Sequence, residues 1–378
     1  MTKKICAIGG EGIGIEVVAA AVEVLKAMDL DVEIVECDVG EPAVKKFDTP
    51  FPKVTKDAID DADAILFGAT EEKGILAVAY LRFGLQTYAN VRPFKYYPGI
   101  PSPLNNPEKI DFVFVRENLE GLYAAPRIGE GSIRKLAKKG FISQEALERD
   151  WHGGKGVFAV RIATNFECER IARFACELTV KRKNEGHPGK LTIVHKENVL
   201  RRTDGLFVKS AYNVAEEYIH KHGIIVDDYY VDDQARRILR YPGDHDVMVL
   251  PNEFGDILSD MSAELVGGLG VAPSACIGEE KAYFEPCHGS APKYYGLNVA
   301  NPIAAILSSQ MMLDYLGFTK EAAKLEAAVA KLIALTADPI KNWRDIPRDF
   351  VPADYRDQQK FAKTTEIAQN IIKFYKEL

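Results

Sequence analysis

The stretch Asn252–Asp260 reads NEFGDILSD and sets Asp256 and Asp260 four residues apart. On the first turns of a helix both carboxylates would lie on one face as near neighbours, repelling by a few tenths of a kcal/mol. A divalent cation between them would offset that repulsion. An acidic first turn favoured by the helix dipole is the simpler alternative, but it usually needs one carboxylate. Two further segments add to the set: VHKENV ends a strand-like run with Lys196, and YYVDDQA ends another with Asp232 or Asp233. Oxygen ligands without paired His or Cys suit Mg²⁺ or Mn²⁺ rather than zinc.

Arginines supply the complementary charge. LRFGLQTYANVRP carries Arg82 and Arg92, and VRENLEGLY carries Arg116 and Tyr123. Each alone would read as a surface salt bridge. Three guanidiniums together with the carboxylates and the lysine suit a polycarboxylate, since each can grip a carboxylate through two parallel hydrogen bonds. A later loop, FEPCHGSAPKYYGLNVANP, offers backbone N–H groups to an anion.

The elements that must hold these residues alternate between strand-length apolar runs and helical patterns. KKICAIGG, DADAILFGAT, IDFVFVREN, GVFAVRIATN, KLTIVHKEN, IIVDDYYVDD and DHDVMVLPN read as strands. GIEVVAAAVEVLKAM, FECERIARFACELTVKRK, FVKSAYNVAEEYIHKH and KEAAKLEAAVAKLIALTA read as helices. This order predicts an α/β protein with a mainly parallel sheet. Ala125–Gly156, rich in charge and glycine, reads as an arm without a clear strand, and Pro339–Lys360 reads as a long surface connection. The first strand runs into Gly9–Gly14, GGEGIG, which does not fit the G-x-G-x-x-G dinucleotide fingerprint.

At 378 residues the chain is long enough for two domains, and its 47% hydrophobic and 27% charged residues match a globular protein. A net charge of -7 without basic runs argues against nucleic acid as a partner. No apolar segment approaches the ~20 residues of a membrane span. The six cysteines form no CxxC or metal-ligand spacing, and with no leader-like start they point to reduced thiols in a cytoplasmic protein.

Taken in order, GEGIG, NVRP, VREN…GLY, HKENVL, YVDD, FGDILSD and EPCHGSAP…ANP resemble the metal-dependent β-decarboxylating dehydrogenases acting on isocitrate, isopropylmalate, homoisocitrate and tartrate or malate. The resemblance covers nearly the whole chain. It implies a two-domain fold that is not Rossmann, with a large cofactor-binding domain from residues 1–97 and 250–378. Residues 98–249 would form a small domain whose arm, 125–156, helps to clasp a homodimer with shared active sites. By the same resemblance, Arg82, Arg92 and Arg116 grip the malate carboxylates, Tyr123 is the acid and Lys196 the base. The lysine would reach in from the neighbouring subunit. Asp256 and Asp260 would ligate the metal from one subunit and Asp232 from the other. His288 and Asn301 match positions at the adenine end of the cofactor, with Glu285 and Gly289 close by.

Two details divide the family's members. Relatives using NAD usually carry an aspartate after HGSAP; Lys293 and Tyr294 stand here and suit the 2′-phosphate of NADP, which is favoured over NAD. Tyr355 and Arg356 are further candidates for that phosphate. The wall facing the substrate's third arm, GILAVAYLR, places Leu76 and Val78 where isocitrate enzymes carry serine and asparagine. Ala79 replaces the extra arginine of homoisocitrate enzymes. An apolar wall favours 3-isopropylmalate or a related 3-alkylmalate, because an unpaired buried carboxylate is costly. Isocitrate, D-malate and tartrate are the alternatives. A non-catalytic regulatory subunit is disfavoured, because the base, the acid and the metal ligands are all kept. Glu11, Ile75 and Glu253 depart from the family's usual aspartate, glutamate and apolar residue.

Overall fold

The computed structural model describes residues 2–124 and 129–378. Along the chain its strands are β1 (Lys3–Gly10), β2 (Val32–Cys37), β3 (Ala64–Ala69), β4 (Ala89–Lys95), β5 (Asp111–Glu117) and β6 (Glu130–Ser132). They continue as β7 (Val157–Ala159), β8 (Lys190–His195), β9 (Ile225–Tyr230), β10 (Val247–Leu250), β11 (Pro273–Ile277) and β12 (Ala282–Pro286). β6 and β7 pair with each other; the other ten form one sheet in the order β2-β1-β3-β12-β11-β4-β5-β10-β8-β9.

The pairs are parallel except at the centre, where β12–β11, β11–β4 and β4–β5 run antiparallel. The mixed α/β fold with a mainly parallel sheet is the one the alternation predicts. β3 is buried along its whole length, and in β1 Ile5–Ile8 are buried, as apolar strands covered on both faces must be. The two edges carry charge instead, Glu33 and Glu36 on β2 and Asp227 and Asp228 on β9, which discourages pairing with a further strand.

One core forms where the helices Ile13–Ala27, Ile303–Tyr315, Thr319–Ala334 and Thr364–Glu377 pack on the sheet. A second lies under Asn165–Asn184 and Thr203–His222. A third packs Leu258 and Ala263 of the helix Asn252–Glu264 with Phe94, Phe112 and Phe114 of β4 and β5. That third core positions the site. Burying a leucine such as Leu258 contributes about 1.5–3 kcal/mol, and it fixes which face of the helix turns outward.

Three sequence readings need correction. The segment 125–156 does contain a strand: β6 pairs antiparallel with β7, and the helices Arg134–Lys138 and Gln144–Trp151 follow β6. Its Glu-Gly-Ser sequence has no apolar alternation, so only the pairing reveals it. Residues 125–128 of that segment lie outside the described residues. The run GVFAVRIATN is a strand only over Val157–Ala159. Pro339–Lys360 is not simply a surface connection, because Ile346, Phe350 and Val351 are buried in the first core. Its Pro and Asp content hides apolar residues that anchor it.

No helix among the described residues is long and apolar enough to cross a membrane. All six cysteines are free thiols.

Candidate active site

The register of β4 and β5 sets two of the arginines. Asn90 lies opposite Arg116 and Arg92 opposite Phe114, so Arg92 and Arg116 are diagonal neighbours on one face of the sheet. Both are buried. Arg92 Nε donates to Asn90 Oδ1 at 2.7 Å and its Nη1 to Ser259 Oγ at 2.5 Å. Arg116 gives Nε and Nη2 to Asn252 Oδ1, at 3.1 and 2.7 Å, and Nη1 to Asp256 Oδ1. Burial, then the neighbouring Arg92, lowers the Arg116 guanidinium to about 10.

Across from them, Asn252, Asp256, Ser259 and Asp260 follow the i, i+4, i+7, i+8 spacing of one helix face. Leu258, with Phe254 and Met261, turns the opposite face to the core. Asp256 takes Arg116 on one oxygen and the Tyr123 hydroxyl on the other, with Arg92 Nη1 at 3.6 Å. Burial raises its carboxyl, but Arg116, the Tyr123 hydrogen bond and Arg92 outweigh that and hold it below the ordinary range. Among the described residues Asp260 pairs only with Arg92, at 3.8 Å, and it is pushed upward, chiefly by burial and further by Asp256. Two arginines therefore already offset the repulsion between the two aspartates.

Tyr123 sits under the arginines, with the Arg116 guanidinium 4.9 Å and the Arg82 guanidinium 5.8 Å from its ring centre. Burial and Asp256 raise its phenol, so it keeps its proton near neutrality. Arg82 lies on a π-helical turn, Tyr80–Gly84, that continues the helix Ile75–Ala79. Its Nε is buried without a hydrogen-bond partner among the described residues, a donor that an anion would satisfy. On that helix Ile75 and Leu76 are exposed, whereas Val78 is half-buried against the core around Ile8 and Phe67.

Lys196 and Asp232 form an ion pair with each other, at the end of β8 and in the first turn of the helix Val231–Arg240. Among the described residues, no three His, Cys, Asp or Glu side chains cluster as a metal site within the chain. The donor chemistry of Asp256 and Asp260 fits a hard divalent cation, with the raised Asp260 carboxyl the group such a charge would relieve. Asp232 is instead paired with Lys196.

A second locus lies where two loops meet. Gly12 has φ 59°, and a Cβ there would come within 2.1 Å of the Ser290 carbonyl oxygen, which also accepts from Ile13 N–H at 2.8 Å. The glycine loop and the HGSAP loop thus abut. Beside them is a cleft of about 380 Å³ whose lining includes His288, Tyr294, Asn301, Arg348 and Arg356. Among the described residues, His288 Nε2 and Asn301 Nδ2 are buried without hydrogen-bond partners. Burial lowers the His288 imidazole, keeping it neutral. The Arg348 guanidinium is 5.1 Å from the Tyr294 ring centre and the Lys293 amine 4.8 Å from it on its own approach. Gly289 faces open space. Glu285, on β12, is raised by burial against the pull of Arg82, Arg92 and Arg116. Orphan polar atoms, a stackable ring and converging cations fit a phosphorylated nucleotide.

Sequence reasoning missed the residues that hold these groups: Asn90, Asn252 and Ser259 at the arginines, and Arg348 in the cleft. Asn252 and Ser259 stand inside NEFGDILSD at helical spacing from Asp256, which was the available signal.

A family model described as isocitrate/isopropylmalate dehydrogenase matches residues 4–371. The chain belongs to the isocitrate/isopropylmalate dehydrogenase family. It is a decarboxylating hydroxyacid dehydrogenase of a group that depends on NAD(P) and a divalent metal. Among relatives of this isocitrate/isopropylmalate dehydrogenase family member, the 3-isopropylmalate/3-methylmalate dehydrogenase of Methanocaldococcus jannaschii is 45% identical. The match spans 332 residues, 88% of this chain and 91% of that one. The isocitrate/homoisocitrate dehydrogenase of Thermus thermophilus is 41% identical over 87% of this chain and 90% of its own. The crystal structure of isocitrate dehydrogenase from Methylococcus capsulatus is 32% identical, with a TM-score of 0.80, and the match covers 99% of each chain.

Proposed function

We propose that the chain oxidatively decarboxylates a (2R)-malate derivative, 3-isopropylmalate or a related 3-alkylmalate, with NADP as the favoured acceptor. The carrying observation is the helix Ile75–Ala79, which leads into Arg82 and exposes Ile75 and Leu76 with no cation or amide among its side chains. An alkyl arm loses nothing against such a wall, whereas a carboxylate would stay unpaired. The name of the 45% identical relative points the same way.

In this reading Arg82, Arg92 and Arg116 bind the substrate carboxylates and orient C2. Lys196, delivered from a second copy of the chain, takes the hydroxyl proton. Tyr123 returns a proton to C3 after CO₂ leaves. Asp256, Asp260 and the second copy's Asp232 would hold a divalent cation, which would supply Lewis-acid chemistry for the oxidation. His288 and Asn301 hold the adenine end of the cofactor, and Lys293, Tyr294, Arg348 and Arg356 favour a 2′-phosphate. The homodimer is supported by exposed Phe141, Trp151 and Val157 in and beside the arm, and Ile257 beside Asp256. The domain division at 97/98 and 249/250 is supported by the strand order, in which β5, β10, β8 and β9 make up one end of the sheet.

The test is initial reduction of NADP and of NAD, with Mg²⁺ or Mn²⁺, on 3-isopropylmalate, isocitrate, D-malate and tartrate side by side. The reading expects 3-isopropylmalate and NADP to lead. Isocitrate leading would overturn the role of the Ile75–Leu76 wall. Deleting residues 125–156 should reduce the mass in solution to that of a monomer; an unchanged dimer would refute the clasp.

A further inference from the structure

A network outside the groups named above ties the Lys196 backbone to the helix that carries Asp256. Asp204, on the first turn of Thr203–His222, is almost fully buried at 1% exposure. Its Oδ2 accepts the Lys196 backbone N–H at 2.7 Å, and its Oδ1 accepts Arg161 Nη2 at 2.7 Å. The Lys196 carbonyl is engaged as well, by the N–H groups of Val199 and Leu200 at 3.0 and 2.8 Å. The lysine therefore leaves the end of β8 from a backbone clamped on both sides, and its side chain runs from there to Asp232.

Arg161 is the hub of this network. Its side chain is 14% exposed, and its guanidinium lies 5.0 Å from the Phe254 ring centre and 3.5 Å from Glu253 Oε2. Both residues belong to the first turn of Asn252–Glu264. The next residue, Ile162, accepts the Gly121 N–H at 3.0 Å, two positions before Tyr123. Arg161 thus bears on the segments that carry Lys196 and Asp256, and its neighbour Ile162 on the one that carries Tyr123. A buried carboxylate paired with one arginine and one backbone N–H, with the Thr203 hydroxyl at 3.4 Å, is a costly arrangement for stability alone, since an apolar pair could fill the same space.

We propose that Asp204 and Arg161 are positioning residues for Lys196, setting the direction from which its amine reaches the reacting hydroxyl. The proposal rests on the reading of Lys196 as the base, and its test separates the two.

Asp204→Asn, Arg161→Lys and Lys196→Ala are made singly, and Asp204→Asn and Arg161→Lys are each combined with Lys196→Ala in the full-length enzyme. All are assayed with NADP and Mg²⁺ on whichever of 3-isopropylmalate, isocitrate and D-malate the wild type oxidises fastest. Misplacing a catalytic group by about 1 Å costs on the order of 100-fold, so kcat should fall about 10- to 100-fold in Asp204→Asn with KM within about threefold. Arg161→Lys, which keeps the charge on Asp204 but loses the fork and the stacking, should fall less. In the Lys196→Ala background neither change should lower the residual rate further, because there is no amine left to aim. Unchanged kcat in Asp204→Asn, or an equal further loss without Lys196, would overturn the proposal and leave a structural ion pair. Should Asp204→Asn not fold, the Arg161→Lys cycle decides by the same criterion. Full activity in Lys196→Ala would instead overturn the base reading, and the positioning role with it.

Discussion

Glu11 stands where the family usually carries an aspartate, and its extra methylene has work to do. Its Oε1 accepts the Glu41 N–H at 2.9 Å, and its Oε2 accepts the N–H groups of Glu71 and Gly74 at 2.7 and 3.1 Å. One buried carboxylate thus pins the glycine loop to two other segments, and the second of these runs directly into Ile75 and Leu76. In Glu11→Gln the amide oxygen can keep Glu71 and Gly74, but the NH₂ then faces the Glu41 N–H. A hydrogen bond to a charged acceptor contributes about 1.5–3 kcal/mol, and a donor facing a donor forfeits at least one of them. If that loss fell on global stability, urea unfolding would show a lower midpoint at unchanged slope. If it fell on the Glu71–Gly74 loop alone, every ~1.4 kcal/mol would loosen substrate binding up to tenfold. Glu11→Asp should do both, since the shorter chain cannot reach both segments. The paired assay is urea unfolding together with KM for 3-isopropylmalate. Wild-type values in both, for both variants, would refute the clamp.

Asn252→Leu should leave two N–H groups of buried Arg116 without acceptors and destabilise the fold by about 2–5 kcal/mol, read by thermal unfolding. Lys293→Asp and Arg348→Ala should each lower the NADP-to-NAD ratio of kcat/KM about tenfold or more, and an unchanged ratio would refute the phosphate assignment. Glu117, buried while accepting the Leu119 and Glu120 N–H groups, is pushed up from 4.5 to about 7 by burial. The folded state then holds a proton that the unfolded state has lost, so stability should fall as pH rises from 4.5 to 7, by at most ~1.4 kcal/mol per pH unit. Glu117→Gln keeps both N–H groups on its one oxygen and should flatten that slope in urea unfolding measured across this range; an unaltered slope would place the titration elsewhere.

Much of this was legible because the charged motifs sit at element ends, and element ends follow from local pattern. Lys196 after an apolar run, Asp232 before a helical one and Asp256–Asp260 behind a glycine could be placed without tertiary knowledge. What pattern could not reach is whatever a neighbouring element decides. Asn90 serves Arg92 because of the side chains' shared face, and faces Arg116 only through the β4–β5 register. Val78 turns inward onto the core around Ile8 and Phe67 and leaves Ile75 and Leu76 exposed, a phase that five helical residues are too few to reveal. Arg348 was hidden by its surroundings: a Pro- and Asp-rich stretch reads as loop until Ile346, Phe350 and Val351 are seen to anchor it. β6 has no signal of its own at all.

The pairing of Arg116 with Asp256 has a thermodynamic consequence. Arg116 Nη1 cannot serve Asp256 and an incoming carboxylate equally well, so an anion that engages it leaves Asp256 short of compensation in a half-buried position. The site then favours a cation more strongly than before. By linkage the converse holds to the same degree: a cation on Asp256 releases Arg116 for the anion. Anion and cation should therefore bind as reciprocal effectors, each raising the affinity for the other by one common factor.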